Sequence, residues 1–600
     1  MWARRSAIVG MLVWNAIVIC RRASDPLIFK LTHYQAQAMP FNCKATRLAY
    51  NPRRMSTRGI SLAILLVALT EYATAAQPSD GTPYLDRSDP IPHLVVDGKP
   101  FLILGGELRN SSTSSLDYMK PIWPRMAAER FNTLLAAATW QQIEPQEGKF
   151  DFSYVDATIA GAQESHLHLI ILWFGSWKNG TSTYPPAWVK ADRRRFPRVQ
   201  DQQGTNLETL SAFSNANRDA DARAFAALMK HIKEVDGTKH TVLMMQVENE
   251  SGILGPGRDY SAEAETAWKR PVPDPLLAFL AKNKERLQPE FLDIWGRTGF
   301  RTKGTWGEVF GDSQRAQEIF EAWQYSQYID TVAAAGKAKY PIPMYVNTWI
   351  TQYTGEPGGE HPSGGAVSRV LDVWLAGISH IDLLAPDIYL PDLRGVLAAY
   401  DHLGNPLFIP ETRGGEAGGA NALYAFGQGV FGFSPFAVDQ SGDNGPLSAS
   451  YAVLNQLMPL LTSIEKSKMT SVVRQAGDSM AAVELGGYLL RIQYQQGQGA
   501  PAALAGPTLA QSTVPPGAAL ILNTGPDEFM IAAEGLTLSF APNSSGPRQV
   551  DILSVEEGTF HDGVWVPGRL LNGDETNGDN YLIFRGSTPT IQKVKLYRHD

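Results

Sequence analysis

Eight near-continuous apolar runs lie between residues 100 and 436, and they constrain the fold more than any other feature. They span 100–106, 131–140, 167–175, 241–250, 343–349, 380–389, 406–413 and 430–436. Runs this apolar, without polar alternation, are expected of parallel strands buried on both faces. Helical spacing separates several of them. Ala222, Phe225, Met229 and Ile232 recur at 3-4-3 before the fourth run, and Val367, Val370, Leu371, Trp374 and Ile378 precede the sixth. Strands alternating with amphipathic helices eight times over predict a (β/α)8 barrel in preference to a doubly wound sheet. Residues 251–340 are too many for one βα unit and are expected to hold extra helices around the cleft.

The pattern changes after the eighth run. Residues 447–469 read as a helix that closes the barrel, which places the barrel domain at 76–446. From 470 to 600, short alternating runs are broken by Gly, Pro, Asn and Asp, at 488–494, 518–523, 536–540, 550–555, 581–584 and 594–597. Those runs predict an all-β accessory domain, sandwich-like, behind the α/β barrel.

The amino-terminal segment reads as targeting. Met55 to Arg58 is a short basic start, residues 60–69 are mostly apolar, and Ala73-Thr74-Ala75 fits a cleavage site. Residues 55–75 are therefore expected to be a signal peptide, and the mature protein to be exported, periplasmic or extracellular, with no integral membrane span. Residues 1–54 are read as a non-native extension ahead of the true start at Met55. The overall formal charge of −7 includes +8 from residues 1–54, so the remainder carries −15. A body this acidic argues against nucleic acid as the partner. Both cysteines, Cys20 and Cys43, lie in the leader, and the eleven histidines form no HExxH pattern. Neither a disulfide framework nor a metal site is expected in the body.

Strand ends converge on one face of such a barrel, and two runs end in glutamate: Val247-Glu248-Asn249-Glu250 and Ile409-Pro410-Glu411. Two carboxyl groups about 5–5.5 Å apart are what hydrolysis of a β-glycoside with retention needs. Glu250 and Glu411 are thus the candidate catalytic pair. Glu248 alternates away from Glu250 on the strand, as an orienting group or simply a polar one, and Glu144, before Pro145, is expected to brace a loop. Trp173, Trp177, Trp349 and Tyr389 end strands, as stacking platforms for sugar or as core rings, and Trp177, Trp349, Tyr389 and Arg413 are expected to contact the substrate. Arg413 is a candidate counter-charge for Glu411.

The run Gln246–Glu250 (QVENE) resembles the acid/base motif of family 35 glycoside hydrolases, the β-galactosidase family. Residues 139–152 (TWQQIEPQEGKFDF) and 184–189 (YPPAWV) are similar to that family's segments after the second and third strands. The resemblance covers roughly residues 90–440. It implies that Glu250 is the acid/base, Glu411 the nucleophile and Asn249 the ligand of the sugar 2-hydroxyl, with no cofactor. It also implies a retaining exo-β-galactosidase acting on an oligosaccharide or glycoside. Two departures bear on the sugar: an Ala-Glu-Trp triplet of the family is Gly175-Ser176-Trp177 here, and its Glu-Tyr-Gly is Glu250-Ser251-Gly252. β-Glucosidase or β-mannosidase specificity, and a carbohydrate-binding protein without activity, are the alternatives.

Overall fold

The computed structural model describes residues 80–440, 444–495, 515–561 and 563–600. The leader assignments, residues 1–54 and 55–75, lie outside the described residues. Eight parallel strands close on themselves: β1 (Ile103–Glu107), β2 (Thr133–Thr139), β3 (His168–Lys178), β4 (Val242–Asn249), β5 (Met344–Trp349), β6 (Leu383–Ile388), β7 (Ile409–Thr412) and β8 (Gly432–Pro435). The ring is complete because β8 returns to β1, with Gly432 and Phe433 opposite Ile103 and Leu104. All eight expected strands are present. Every residue of β4 is buried, which is why its sequence shows no alternation.

The first expected run divides in two. Lys99–Phe101 pairs back on His93–Val96 in an antiparallel hairpin, and only Ile103–Glu107 enters the barrel. The hairpin turns at Asp97-Gly98, both with positive φ (50° and 73°), the backbone that a two-residue Asp-Gly turn requires.

Helix Asn215–Asp236 buries Ala222, Phe225, Met229 and Ile232 as its spacing predicts. It packs on helix Gln314–Lys337 so closely that a Cβ on Gly336 would lie 2.3 Å from the Phe225 ring. The extra helices after β4 are Ala262–Trp268, Asp274–Asn283, Pro289–Gly296 and Trp306–Phe310. Before β6 the helix is shorter than its apolar spacing suggests. It starts at Leu371, because Arg369 is drawn inward to Glu318 (Nε–Oε2 2.6 Å) in a tight 3-10 turn.

Helix Gly445–Leu461 follows β8. Ten antiparallel strands come next: β9 (Met469–Val473), β10 (Met480–Leu485), β11 (Tyr488–Tyr494), β12 (Ala518–Gly525), β13 (Glu528–Glu534), β14 (Leu536–Pro542), β15 (Gln549–His561), β16 (Val564–Leu571), β17 (Leu582–Phe584) and β18 (Thr590–His599). They form a six-stranded sheet, β9-β12-β13-β18-β15-β16, and a four-stranded sheet, β10-β11-β14-β17. Ile521, Ile531 and Val594 from the first meet Leu490, Ile492 and Leu538 from the second in one buried cluster, so the domain is a sandwich.

The six-stranded sheet is covered on its other face too. Leu520, Leu522 and Met530 join the core of the barrel. Helix Glu416–Gly427 lies against them, and a Cβ on Gly427 would come within 2.3 Å of Ser471 and 2.9 Å of Leu520. The described residues of barrel and sandwich belong to one compact unit. Among the described residues no helix is long and apolar enough to cross a membrane.

Candidate active site

The carboxyl-terminal ends of six strands bring charged and amide side chains to the mouth of the barrel. Glu107 ends β1, Lys178 ends β3, Glu250 follows β4, Asn347 lies in β5, Asp387 in β6 and Glu411 in β7. Asp387 and Glu411 are direct neighbours in the β6–β7 register. One carboxylate oxygen from each of Glu250, Asp387 and Glu411 lies within 4.8 Å of the other two.

The chain reaches this arrangement through strain at the end of β4. Glu248 and Glu250 both have positive φ, 65° and 45°, which is costly for residues other than glycine and must be held by the surroundings. Glu248 turns away from the mouth. Its Oε1 accepts the Ser176 N–H at 3.0 Å and its Oε2 the Trp177 N–H at 2.7 Å. The β3–β4 register slips between Trp173 and Lys178, a bulge that takes those amides out of the ladder. The Glu248 carboxyl takes the ladder's place. Asp221 supports the same bulge, accepting from Trp173 Nε1 (2.9 Å) and Ser176 Oγ (2.6 Å). Burial first, then the Asp221 charge, holds the Glu248 carboxyl well above the usual carboxylate range.

Glu250 is fixed through its backbone, which donates to Asn347 Oδ1 at 3.0 Å. The Asn347 amide nitrogen in turn donates to Asn249 Oδ1 (3.2 Å) and Asp387 Oδ2 (2.8 Å), tying three strands together. Gln246 also donates to Asn249 Oδ1, and Asn249 Nδ2 reaches Asn179 Oδ1 at 3.3 Å. Asn249 is thus held by three side chains at the base of the mouth.

The electrostatics separate the carboxyl groups. Glu250 is pushed up to about 7, first by burial and then by the negative charge of Glu411, with Lys178 opposing. Glu107 and Asp387 are raised well above the ordinary range for the same two reasons, burial and Glu411. Glu411 accepts from the Tyr389 hydroxyl through Oε1. Its Oε2, Glu107 Oε1 and Asp387 Oδ1 are buried and receive no N–H or hydroxyl donor, while the raised carboxyl groups of Glu107 and Asp387 are within hydrogen-bond reach of Glu411 and Glu250 respectively. Open buried acceptors around one mouth suit a ligand rich in hydroxyl groups. The three-carboxylate set also has a spacing and hardness that would suit a cation bound through oxygen.

Two site expectations change, those for Trp177 and Arg413, and of the two readings of Trp173 the core one holds. Trp177 is in the core and not in the cleft: it is 1% exposed, packed on Tyr325 and Tyr328, with Nε1 donating to the Leu210 carbonyl. Trp173 is likewise enclosed. Arg413 makes no ion pair with Glu411. It is exposed, lies over the Tyr389 ring at 5.8 Å and donates to the Tyr389 carbonyl. Trp349 and Tyr389 remain half-buried at the mouth. Glu144 braces its loop, accepting from Trp140 Nε1 and the Gly148 N–H and pairing with Arg223.

Sequence reasoning missed Glu107, Lys178, Asn347 and Asp387. Each stands at or near a strand end, and that position was the available signal. Glu107 escaped because its strand was ended one residue early.

Fold and site together are a closed (β/α)8 barrel whose mouth gathers the carboxyl groups of Glu107, Glu250, Asp387 and Glu411. A family model described as beta-galactosidase, glycoside hydrolase family 42, matches residues 117–290, a stretch that includes Glu250 and ends before β5. A second, a domain of unknown function (DUF5597), matches residues 447–581. A β-galactosidase of Xanthomonas manihotis is 26% identical over 231 residues, 37% of this chain, and the chain spans only 36% of that relative's length. Among solved structures, a β-galactosidase of Halorubrum lacusprofundi superposes with a TM-score of 0.39 at 16% identity, covering 60% of this chain and 58% of that one. One from Rahnella sp. R3 does so with 0.40 at 14%, covering 61% and 57%.

Proposed function

We propose that the protein is a retaining, exo-acting β-galactosidase in which Glu250 is the acid/base and Glu411 the nucleophile. The observation that carries the reading is the approach of their carboxylate oxygens to within 4.8 Å, with Glu250 raised to about 7 beside Glu411. This is the close pairing that double displacement uses, not the wider gap that admits a water between the groups. In the first step, protonated Glu250 gives its proton to the glycosidic oxygen as a Glu411 oxygen bonds to the anomeric carbon and the leaving group departs. In the second, ionised Glu250 takes a proton from water, and that water displaces Glu411 with a second inversion. In this reading Asn249, held by Gln246, Asn179 and Asn347, takes the 2-hydroxyl.

The galactose preference rests on the family 42 match, the curated relative and the motif likeness to family 35. At the finer family level the reading is family 35, carried by Gln246–Glu250 and the Glu-Pro segment after β2. Export through the 55–75 segment is part of the same proposal. A panel of nitrophenyl glycosides, with the first-formed anomer read by NMR, tests it. The β-galactoside should be cleaved fastest and yield β-galactose first. Faster cleavage of the glucoside or mannoside overturns the sugar, and α-galactose as the first product overturns the mechanism.

A further inference from the structure

A groove of about 830 Å³ leaves the catalytic mouth and runs between barrel and sandwich. Its volume lies within the range of built ligand sites, about 300–1,000 Å³. One end adjoins the candidate nucleophile without including it: Tyr389, whose hydroxyl bonds Glu411, and Thr412, the next residue after it, both line the wall. The far wall belongs to the sandwich, the turn after β9 that carries Arg474, Ala476 and Asp478.

This far wall is pinned to the barrel. Arg394 pairs with Asp478 at 3.1 Å and donates to Gln475 Oε1 at 2.7 Å, while Gln475 Nε2 donates to the Pro391 carbonyl at 3.2 Å. Arg474 is tied down in turn, donating to the Asp478 and Gln495 carbonyls. The groove is therefore preformed, which spares a ligand the entropic cost of ordering its site. The charged groups on its walls are Arg413, Arg474, Glu416 and Asp478, two of each sign. That balance suits a neutral, polar chain and gives a polyanion no net attraction.

We propose that this groove binds the leaving-group saccharide, the neutral oligosaccharide from which the terminal sugar is removed. In exo cleavage a single sugar ring fills the mouth, and all the rest of the substrate belongs to the leaving group. The groove is a concavity that begins at the rim and has polar groups on apolar walls for such a chain. The sandwich thus supplies part of the substrate site. The proposal rests on the glycosidase reading above.

Ala476→Trp and Ala417→Trp narrow the groove from its sandwich and barrel walls, at exposed alanines that are not among the residues gathered at the mouth. The probes are 4-nitrophenyl β-galactoside, which has no saccharide leaving group, and β-1,4-galactotetraose. Each variant should cleave the nitrophenyl substrate within about two-fold of the parent and lose about ten-fold or more in kcat/KM on the tetrasaccharide, through KM. An unchanged ratio between the two substrates in both variants overturns the groove while leaving the galactosidase reading standing. If the parent cleaves neither substrate, calorimetry with galactotetraose decides. A roughly ten-fold weaker Kd in Ala476→Trp keeps the groove while the galactosidase reading falls, and equal or absent binding overturns the groove.

Discussion

The hydroxyl of Tyr389, one residue past the end of β6, donates a hydrogen bond to Oε1 of Glu411 on the neighbouring strand β7. Among the described residues no ion pair reaches Glu411, and the Tyr389 hydroxyl and the raised carboxyl of Glu107 are its side-chain hydrogen-bond partners. Arg413 stands behind the Tyr389 ring and bonds its backbone. It acts on Glu411 only by keeping Tyr389 in place.

Tyr389→Phe should therefore lower kcat/KM on the nitrophenyl galactoside by about 10–100-fold, the worth of one hydrogen bond to a charged group in a buried site. Arg413→Gln should cost less than about three-fold, because the guanidinium is exposed and screened. Steady-state kinetics on the two variants make the comparison. Equal losses would restore Arg413 as the group that stabilises Glu411.

The pH profile should have its basic limb near 7. Glu250 must carry a proton to act as the acid, and its pKa is raised to about 7 by burial and by Glu411. Activity is full below that value and is lost as pH rises through it. Glu250→Gln should remove this limb and harm substrates with poor leaving groups most. Stability follows the same sign. A raised carboxyl favours the folded state below its unfolded pKa, and that advantage is lost as pH rises through the folded value. Glu250→Gln should therefore melt higher than the parent at pH 8 and alike at pH 4. A basic limb that survives in the variant would falsify the assignment of Glu250.

Glu248 should be a stability residue with an indirect effect on rate. Glu248→Ala strands two buried N–H groups, of Ser176 and Trp177, in the β3 bulge and opens a cavity behind β4. A loss of about 2–5 kcal/mol is expected by urea denaturation. Glu248→Gln keeps one acceptor oxygen and should lose less. If Glu248→Ala matches the parent in midpoint and slope, the bulge does not depend on this carboxyl.

The barrel was legible because its strands are buried on both faces and so appear as uninterrupted apolar runs. The sandwich was half legible. Leu490 and Ile492 alternate with exposed Arg491 and Gln493 on β11, which gives a period of two. In β12 and β13 both faces are covered, and the period disappears. The edge strand Val564–Leu571 is largely exposed, with Pro567 and Gly568 inside it, and carries no burial signal at all. Glu250 and Glu411 could be found as acids ending apolar runs. Asn347 and Asp387 sit inside such runs among other polar residues, Thr348 in one and Asp382 in the other, and their meeting at the mouth is a property of barrel closure that no local window contains. Trp177 was misplaced because the β3 bulge, set by Glu248 far away in sequence, turns its ring inward.

The last prediction concerns which carboxylate bonds the sugar. Glu411 and Asp387 are register neighbours, both buried, and both contribute an oxygen to the same cluster, so position alone does not separate them. Charge does. Asp387 is raised well above the carboxylate range by burial and by the charge of Glu411, and its Oδ2 is already occupied by the Asn347 amide. A carboxyl held in the neutral form is a poor nucleophile. Glu411, by contrast, is among the causes of the upward shifts of Glu107, Glu250 and Asp387 alike, and its Oε1 receives the Tyr389 hydroxyl, an arrangement that suits the group that bonds the sugar. A 2-fluoro-galactosyl substrate with a good leaving group slows both steps by destabilising the oxocarbenium-like transition state and lets the adduct accumulate. After digestion, mass spectrometry should find the sugar on the peptide containing Pro410-Glu411-Thr412, and Glu411→Ala should abolish labelling while the protein stays folded by circular dichroism. Label on the peptide containing Pro386-Asp387-Ile388, or on Glu416, would transfer the role to that residue and reverse the charge order argued for the mouth.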